Sequence, residues 1–346
     1  MATSDGMGRK KRGKKSRSRR MATKLGFVAM AVAAAWGVAA EWFVHHPRGW
    51  VADRQESWPA IATAPLLWFG NPLADITDGL GWTGHDAVYE YDVEAPSGAV
   101  ALAGTPVRTG APTPDDITVI DRGEFKIGWS RSLRHPVWCA YHVTAQKLHE
   151  DGKRPSFLVD HAADRAPHPS DYSKSGFDRG HMVPNHAIVS RYGPEEQRKT
   201  FMMGNIAPQS PQLNRKAWRD VEHRIADLWT ARYGEIWVVV GCIPSPDGEK
   251  LSGTTIDVPS MFYQVILAQE GMNLRALAVA FPQNVPWNAW PARFIVSIDE
   301  LEAMTGLDFN PELPEFIQAP LEAEVPSRLW PVRWQDIFRQ VAIRFS

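Results

Sequence analysis

The sequence predicts an α+β fold built on antiparallel strands, and three observations carry that reading. Strand-like segments recur on both sides of one strongly periodic helix, strands and helices never settle into a βαβ rhythm, and Gly 26 and Pro 27 with 15 Trp favour a loop-rich chain over a helix bundle. With 346 residues, 44% hydrophobic and 22% charged, the chain can build one large core or two modest ones, and it is neither disordered nor collagen-like. Two cysteines, Cys139 and Cys242, are too few for a disulfide scaffold or a Cys-rich zinc site, and both sit in apolar runs that read as core.

From the N-terminus, residues 1–24 hold ten Lys/Arg against Asp5 alone, which leaves 28 basic and 38 acidic residues, a balance of −10, in the remainder. This basic tail runs into residues 25–40, sixteen positions without a charge, and then Glu41-Trp42-Phe43-Val44. That order is the one used for membrane targeting, with 1–24 as a cytoplasmic tail and 25–44 as a signal anchor or a signal peptide. Sixteen residues at ~1.5 Å each span about 24 Å, short of a ~30 Å hydrocarbon core unless Trp42 to Val44 join past Glu41. Val38-Ala39-Ala40 has the small-residue pattern of a cleavage site, the long basic region with Trp36 and Trp42 suits an uncleaved anchor, and Ser18-Arg19-Arg20 faintly matches a twin-arginine signal. Either way the rest of the chain is expected outside the cytoplasm, membrane-anchored or exported (periplasmic or secreted), with organellar targeting less favoured.

Residues 45–110 are rich in Pro, Gly, Trp and Ala, punctuated by Gly70-Asn71-Pro72 and Pro96-Ser97-Gly98, and read as a linking segment with few long elements. From Phe125 the pattern sharpens. Phe125-Lys126-Ile127-Gly128-Trp129 and Val137-Trp138-Cys139-Ala140-Tyr141-His142-Val143 predict two neighbouring antiparallel strands. Over 213–233, Leu213, Ala217, Val221, Ile225 and Leu228 mark one helical face. Strands follow at 236–241, apolar enough to be central, then at 261–268 and 274–281. Ser297-Ile298-Asp299-Glu300 is a capping box whose helix Gly306 can close, and Trp334, Ile337, Phe338, Val341 and Phe345 predict a short helix in the C-terminal extension 316–346.

Chemistry concentrates in Gly176-Phe177-Asp178-Arg179-Gly180-His181-Met182-Val183-Pro184-Asn185-His186, where an acid, a guanidinium and an imidazole stand within four residues. A histidine serves as a base only with partners and a pKa near working pH. Downstream, Asn214 and Glu222 lie eight residues apart, about 80° around a regular helix, so an amide oxygen and a carboxylate share one side. Hard oxygen donors of that kind suit Mg²⁺ that keeps most of its water. A zinc site on Asp178, His181 and His186 lacks a third soft ligand at zinc-like spacing, and Ser170, Ser173 and Ser175 lack a nucleophile-elbow context.

Taken together, Asp178-Arg179-Gly180-His181, then Asn205-Ile206-Ala207-Pro208-Gln209, then Leu213-Asn214-Arg215-Lys216-Ala217-Trp218 with Glu222 resemble the DNA/RNA non-specific endonucleases. The likeness extends over roughly residues 110–315. It implies a ββα-metal (His-Me finger) nuclease fold with a central antiparallel sheet and flanking helices. It further implies His181 as general base, Asn214 as the direct ligand of one Mg²⁺ (Mn²⁺ can substitute), Glu222 anchoring the ion's water and Arg179 offsetting transition-state charge. Asp178 would orient the loop and those waters, Arg154 in Gly152-Lys153-Arg154-Pro155 is the positional match to an upstream family arginine, and Asn205 plays a supporting part.

Physical logic runs parallel to the resemblance, because phosphodiester hydrolysis needs a deprotonated water, a cation at the phosphate and a planar donor to its oxygens. Residues 146–224 carry 13 Lys/Arg against 10 Asp/Glu and six of the eleven His, so the basicity is local in an acidic body. Nothing resembles a base-reading module, so DNA and RNA are expected to be gripped through the phosphate backbone, with modest, salt-sensitive affinity. The membrane becomes a partner if 25–44 is retained, while homodimerisation and a protein inhibitor are left open. The competing class is a non-catalytic nucleic-acid binding or uptake protein on the same fold.

Overall fold

The computed structural model describes residues 86–93, 98–150, 152–287 and 289–332. Twelve strands occur among them: β1 (Ala87–Glu90), β2 (Val107–Arg108), β3 (Ile117–Asp121), β4 (Phe125–Ser130), β5 (His135–Thr144), β6 (Asp178–His181), β7 (Ile206–Gln209), β8 (Glu235–Ile243), β9 (Met261–Glu270), β10 (Asn273–Pro282), β11 (Ile295–Val296) and β12 (Leu307–Asp308). The helices are α1 (Asn185–Tyr192), α2 (Pro194–Thr200), α3 (211–233), α4 (Ile298–Thr305) and α5 (Glu315–Ala323). The main sheet runs β1-β10-β9-β8-β5-β4-β3 with β11 added to β10, and every pairing in it is antiparallel. The α+β class therefore stands.

The valine-rich β8 is central because both its faces are covered, which an apolar run without alternation permits. Ile236, Val238, Val240 and Cys242 point into the core beneath α3, while Trp237, Val239 and Ile243 face a second core shared with α4 and α5. The sheet thus separates two helical layers. The expected β4–β5 pair is present, with a register shift at Gly128/Trp129. Ser297 and Glu300 form the predicted capping box, and Gly306 closes α4 at φ 68°, a conformation glycine adopts without a Cβ penalty.

All five residues of the predicted face of α3 are buried, yet the winding is not regular. Leu213–Trp218 and Arg224–Trp229 are π turns separated by the α turn Arg219–His223. Apolar residues spaced by four drift around a helix of 3.6 residues per turn, and wider turns hold that stripe over the sheet.

Two boundaries differ from the sequence reading. In the stretch read as linking, Val100, Leu102 and Ala103 are buried in the second core, β2 pairs with β12, and β1 forms an edge of the main sheet. Segments of two to four residues leave too short a pattern for periodicity to detect. At the other end α5 was not anticipated; Ile317 and Leu321 bury it in the second core, while Leu329, Trp330 and Val332 enter the first. No helix of the described residues is long and apolar enough to cross a membrane; the segment 25–44 and the helix expected on Trp334, Ile337, Phe338, Val341 and Phe345 lie outside the described residues.

Candidate active site

Strands β6 and β7 pair antiparallel, Asp178 opposite Gln209 and His181 opposite Ile206, and the chain then turns directly into α3. This is a ββα finger. Gly180 is required inside it, because a Cβ there would lie 2.5 Å from Gln209 Oε1 and 2.6 Å from Gln209 Cβ. The turn into α3 is closed by Ser210, whose Oγ accepts from Leu213 N at 3.3 Å, and Pro211 follows where a missing N–H costs nothing. Ser210 is held in turn by Gln283 at the end of β10: its N–H donates to Gln283 Oε1 at 2.8 Å and its hydroxyl to the Gln283 carbonyl at 2.5 Å.

Asn214 stands in the first turn of α3, and its Nδ2 donates to Asp178 Oδ2 at 2.9 Å. A carboxylate only accepts, so this bond fixes the amide orientation and turns Oδ1 away from Asp178. Arg215 grips the same carboxylate from Nε and Nη2, at 2.8 and 2.7 Å. Burial raises the Asp178 pKa, but the bonds from Arg215 and Asn214 outweigh it and hold the carboxyl below its ordinary value. Asp178 thus holds the Asn214 amide in place. Arg215 was missed by the sequence reading, although its place beside Asn214 was visible.

His181 ends β6, wedged between Phe157 and Phe201, whose ring centroids lie 5.4 and 4.8 Å from the imidazole. Its Nε2 is buried and has no hydrogen-bond partner among the described residues. Burial, then the nearby charge of Arg154, pushes its pKa down to about 3, so the imidazole is neutral at physiological pH. The following chain is locked by Asn205, fully buried: its Oδ1 accepts from Val183 N at 2.9 Å, and its Nδ2 donates to the carbonyls of Val183 and Thr200, each at 3.0 Å. The amide supports the backbone that aims His181.

Glu222 is carried by α3 two turns beyond Asn214. Burial pushes its pKa up to about 8, against the pull of the Trp218 indole, Arg154, Arg219 and His186 toward the charged form. The indole lies close, although Trp218 Nε1 makes no hydrogen bond of ordinary geometry. The charge of Arg154 acts on both His181 and Glu222, and its exposed guanidinium stands 5.7 Å from the ring of Phe201, which packs on His181. Arg179, on the same face of β6 as His181, stacks 5.2 Å from the Phe157 ring and donates from Nε and Nη2 to the Pro169 carbonyl, at 3.0 and 2.6 Å. All seven predicted site residues therefore fall on the finger or the loops bordering it.

Gln209 was quoted in a motif but given no role. Its side chain is buried with neither amide atom hydrogen-bonded among the described residues, pressed against Gly180 beside Asp178, a costly arrangement. The zinc arrangement weighed above does not assemble: His186 Nε2 meets Asp227 Oδ1 at 3.1 Å, and that carboxylate also takes His223 and Lys147. Among the described residues, the carboxylates close enough to share an ion are Asp299, Glu302 and Glu322, on α4 and α5 and not on the finger. Cys139 and Cys242 are free and buried, as expected.

The sequence model of the family described as DNA/RNA non-specific endonuclease matches residues 103–316. The chain is 30% identical to a nuclease of Nostoc sp. over 243 residues, 66% of this chain and 83% of that protein. It is 30% identical to a nuclease of Serratia marcescens over 228 residues, 62% of this chain and 84% of that protein. Mitochondrial endonuclease G of Bos taurus is 30% identical over 242 residues, 62% of this chain and 80% of its own length. Among solved structures, a chain of the EndoG/EndoGI complex superposes with a TM-score of 0.47 at 25% identity, covering 60% of this chain and 90% of that one.

Proposed function

Because the chain belongs to the DNA/RNA non-specific endonuclease family, we propose that it is a Mg²⁺-dependent endonuclease that hydrolyses phosphodiester bonds of both DNA and RNA without reading sequence. The observation that carries this reading is the unpartnered, buried Nε2 of His181 at the end of β6, on a ββα finger whose helix carries Asn214 and Glu222. The imidazole is neutral and its Nε2 is free to accept a proton, but its pKa of about 3 and the lack of a partner on Nε2 depart from the near-neutral, partnered histidine that the sequence reading asked of a base.

The donor set fits a hard divalent cation. Asn214 presents a neutral oxygen whose orientation is fixed by Asp178, and a neutral ligand leaves an ion strongly polarising. When bound, Mg²⁺ or Mn²⁺ would supply Lewis-acid stabilisation of charge at the phosphate. Asn214 Oδ1 would hold the ion, and Glu222 would face its hydration shell.

The chain's own groups do the rest. His181 Nε2 takes the proton of the attacking water. Arg154 and Arg179 pair with non-bridging phosphate oxygens; Arg179 is held for this by its two bonds to Pro169, so little ordering is left for the moment of reaction. None of these contacts touches a base edge, which is why base sequence should not matter. The order of the basic tail and the uncharged segment supports action outside the cytoplasm, anchored through 25–44 or released after cleavage.

The test is digestion of plasmid DNA and of RNA by the purified full chain, with Mg²⁺, with Mn²⁺ and with chelator. Cutting of both substrates that stops with chelator and in His181→Ala is expected. Activity indifferent to the chelator, or intact in His181→Ala, would reject the mechanism, and tight binding with no cutting in either metal would leave the non-catalytic alternative.

A further inference from the structure

Trp287 is the one tryptophan among the exposed large hydrophobics of the described residues, 55% exposed, in the loop between β10 and β11. The loop does not need it as an anchor. Trp290, three residues on, is buried at 5% with the Arg224 guanidinium 5.4 Å from its ring, and Gln283 already ties the loop's start to Ser210 of the finger. Trp287 instead stands beside α3, where Lys216 Nζ sits 4.7 Å from its ring centroid, two residues past Asn214. An ammonium on one face steadies an indole, and an exposed aromatic surface is otherwise costly to leave in water.

We propose that Trp287, steadied by Lys216, is a stacking subsite for an unpaired nucleobase of the bound strand, beyond the scissile phosphate, so that single-stranded DNA and RNA are preferred over continuous duplex. This rests on the nuclease reading of the same cleft. Any base offers a flat π face, so stacking adds grip without adding sequence preference. In a duplex that face is already covered by neighbouring bases, whereas an unpaired strand can turn one outward. Lys216 contributes twice, as the cation against the indole and as a charge near the strand's phosphates, and exposed Arg219 continues the basic surface one turn along.

The test separates base from backbone. Full-length His181→Ala protein in Mg²⁺ is titrated with a fluorescent homoadenine strand and with an abasic strand of equal length and charge. The adenine strand should bind about tenfold more tightly, the size expected for one stacked base. Trp287→Ala should erase that difference, and Trp287→Phe should keep most of it. In protein with His181 intact, the ratio of kcat/KM on single strand over duplex should fall by a similar factor in Trp287→Ala, through KM. Equal binding of the two strands, an adenine advantage that survives Trp287→Ala, or a loss of self-association in that variant with binding unaltered would each overturn the proposal. A chain that prefers adenine but never cuts would sink the nuclease reading and leave the stacking subsite; one that cuts with no base advantage would sink the subsite alone.

Discussion

Asp178 shows how one side chain sets the orientation of another. Its carboxylate holds Asn214 Nδ2 and is itself held by Arg215, so Asp178→Ala should free the Asn214 amide to rotate. A roughly 10–100-fold loss of activity is expected, as for other supports of metal ligands, with the Mg²⁺ needed for half-maximal rate rising in a metal titration. An unchanged metal requirement would place Asp178 in another role. For His181, whose pKa is pushed down to about 3, the acid limb of kcat/KM at saturating metal should lie well below the ordinary imidazole value; a limb near pH 6.5 would mean that the base is not buried as described. Glu222 gives a stability signature with the opposite sign. Its folded pKa of about 8 lies above the ordinary carboxyl value of 4.5, so between the two the native state keeps a proton that the unfolded chain has lost. Stability contributed by the protonated form is therefore lost as pH rises through that window. Melting in chelator should show Glu222→Gln gaining on the parent protein by a few degrees from pH 5 to pH 8; a constant difference would contradict the shift.

At the scale of elements, the finger depends on close approach. Gly180→Ala would drive a Cβ into Gln209, splaying β6 from β7, and should lower both Tm and activity. Asn205→Ala would strand Val183 N and two carbonyls and should cost about 3 kcal/mol in urea unfolding, with much less expected if water can enter. These elements differed in how well the sequence announced them. β4, β5, β8 and the capping box of α4 were legible because burial on one or two faces writes a period into the chain. The apolar face of α3 was legible too, but its π turns were not, since a stripe spaced by four is compatible with a regular helix until packing demands otherwise. The positions of His181, Asn214 and Glu222 came from the resemblance carried by the motif block, whereas the parts of Arg215 and Gln209 required knowing that α3 and β7 lie against β6.

Across the whole molecule, the acidic body makes the basic region around the finger a local attractor for a polyanion. Affinity for nucleic acid should fall linearly in log–log plots against salt, with a slope set by a few phosphate contacts. A flat response would imply binding through bases alone. The sequence placed the family-like region at 110–315, and the family match covers 103–316. It underestimated the flanks, because β1, residues 100–103 and α5 complete the second core through contacts distant in sequence, which a reading of local pattern cannot see.

The clasp between Gln283 and Ser210 fastens the ββα finger to the longest strands of the sheet. A small ββα unit bolted to its foundation in this way has little freedom to breathe by itself. Heat inactivation should therefore track collapse of the entire domain, and amide protons at residues 206–214 should exchange only as slowly as those in the barricaded centre of β8.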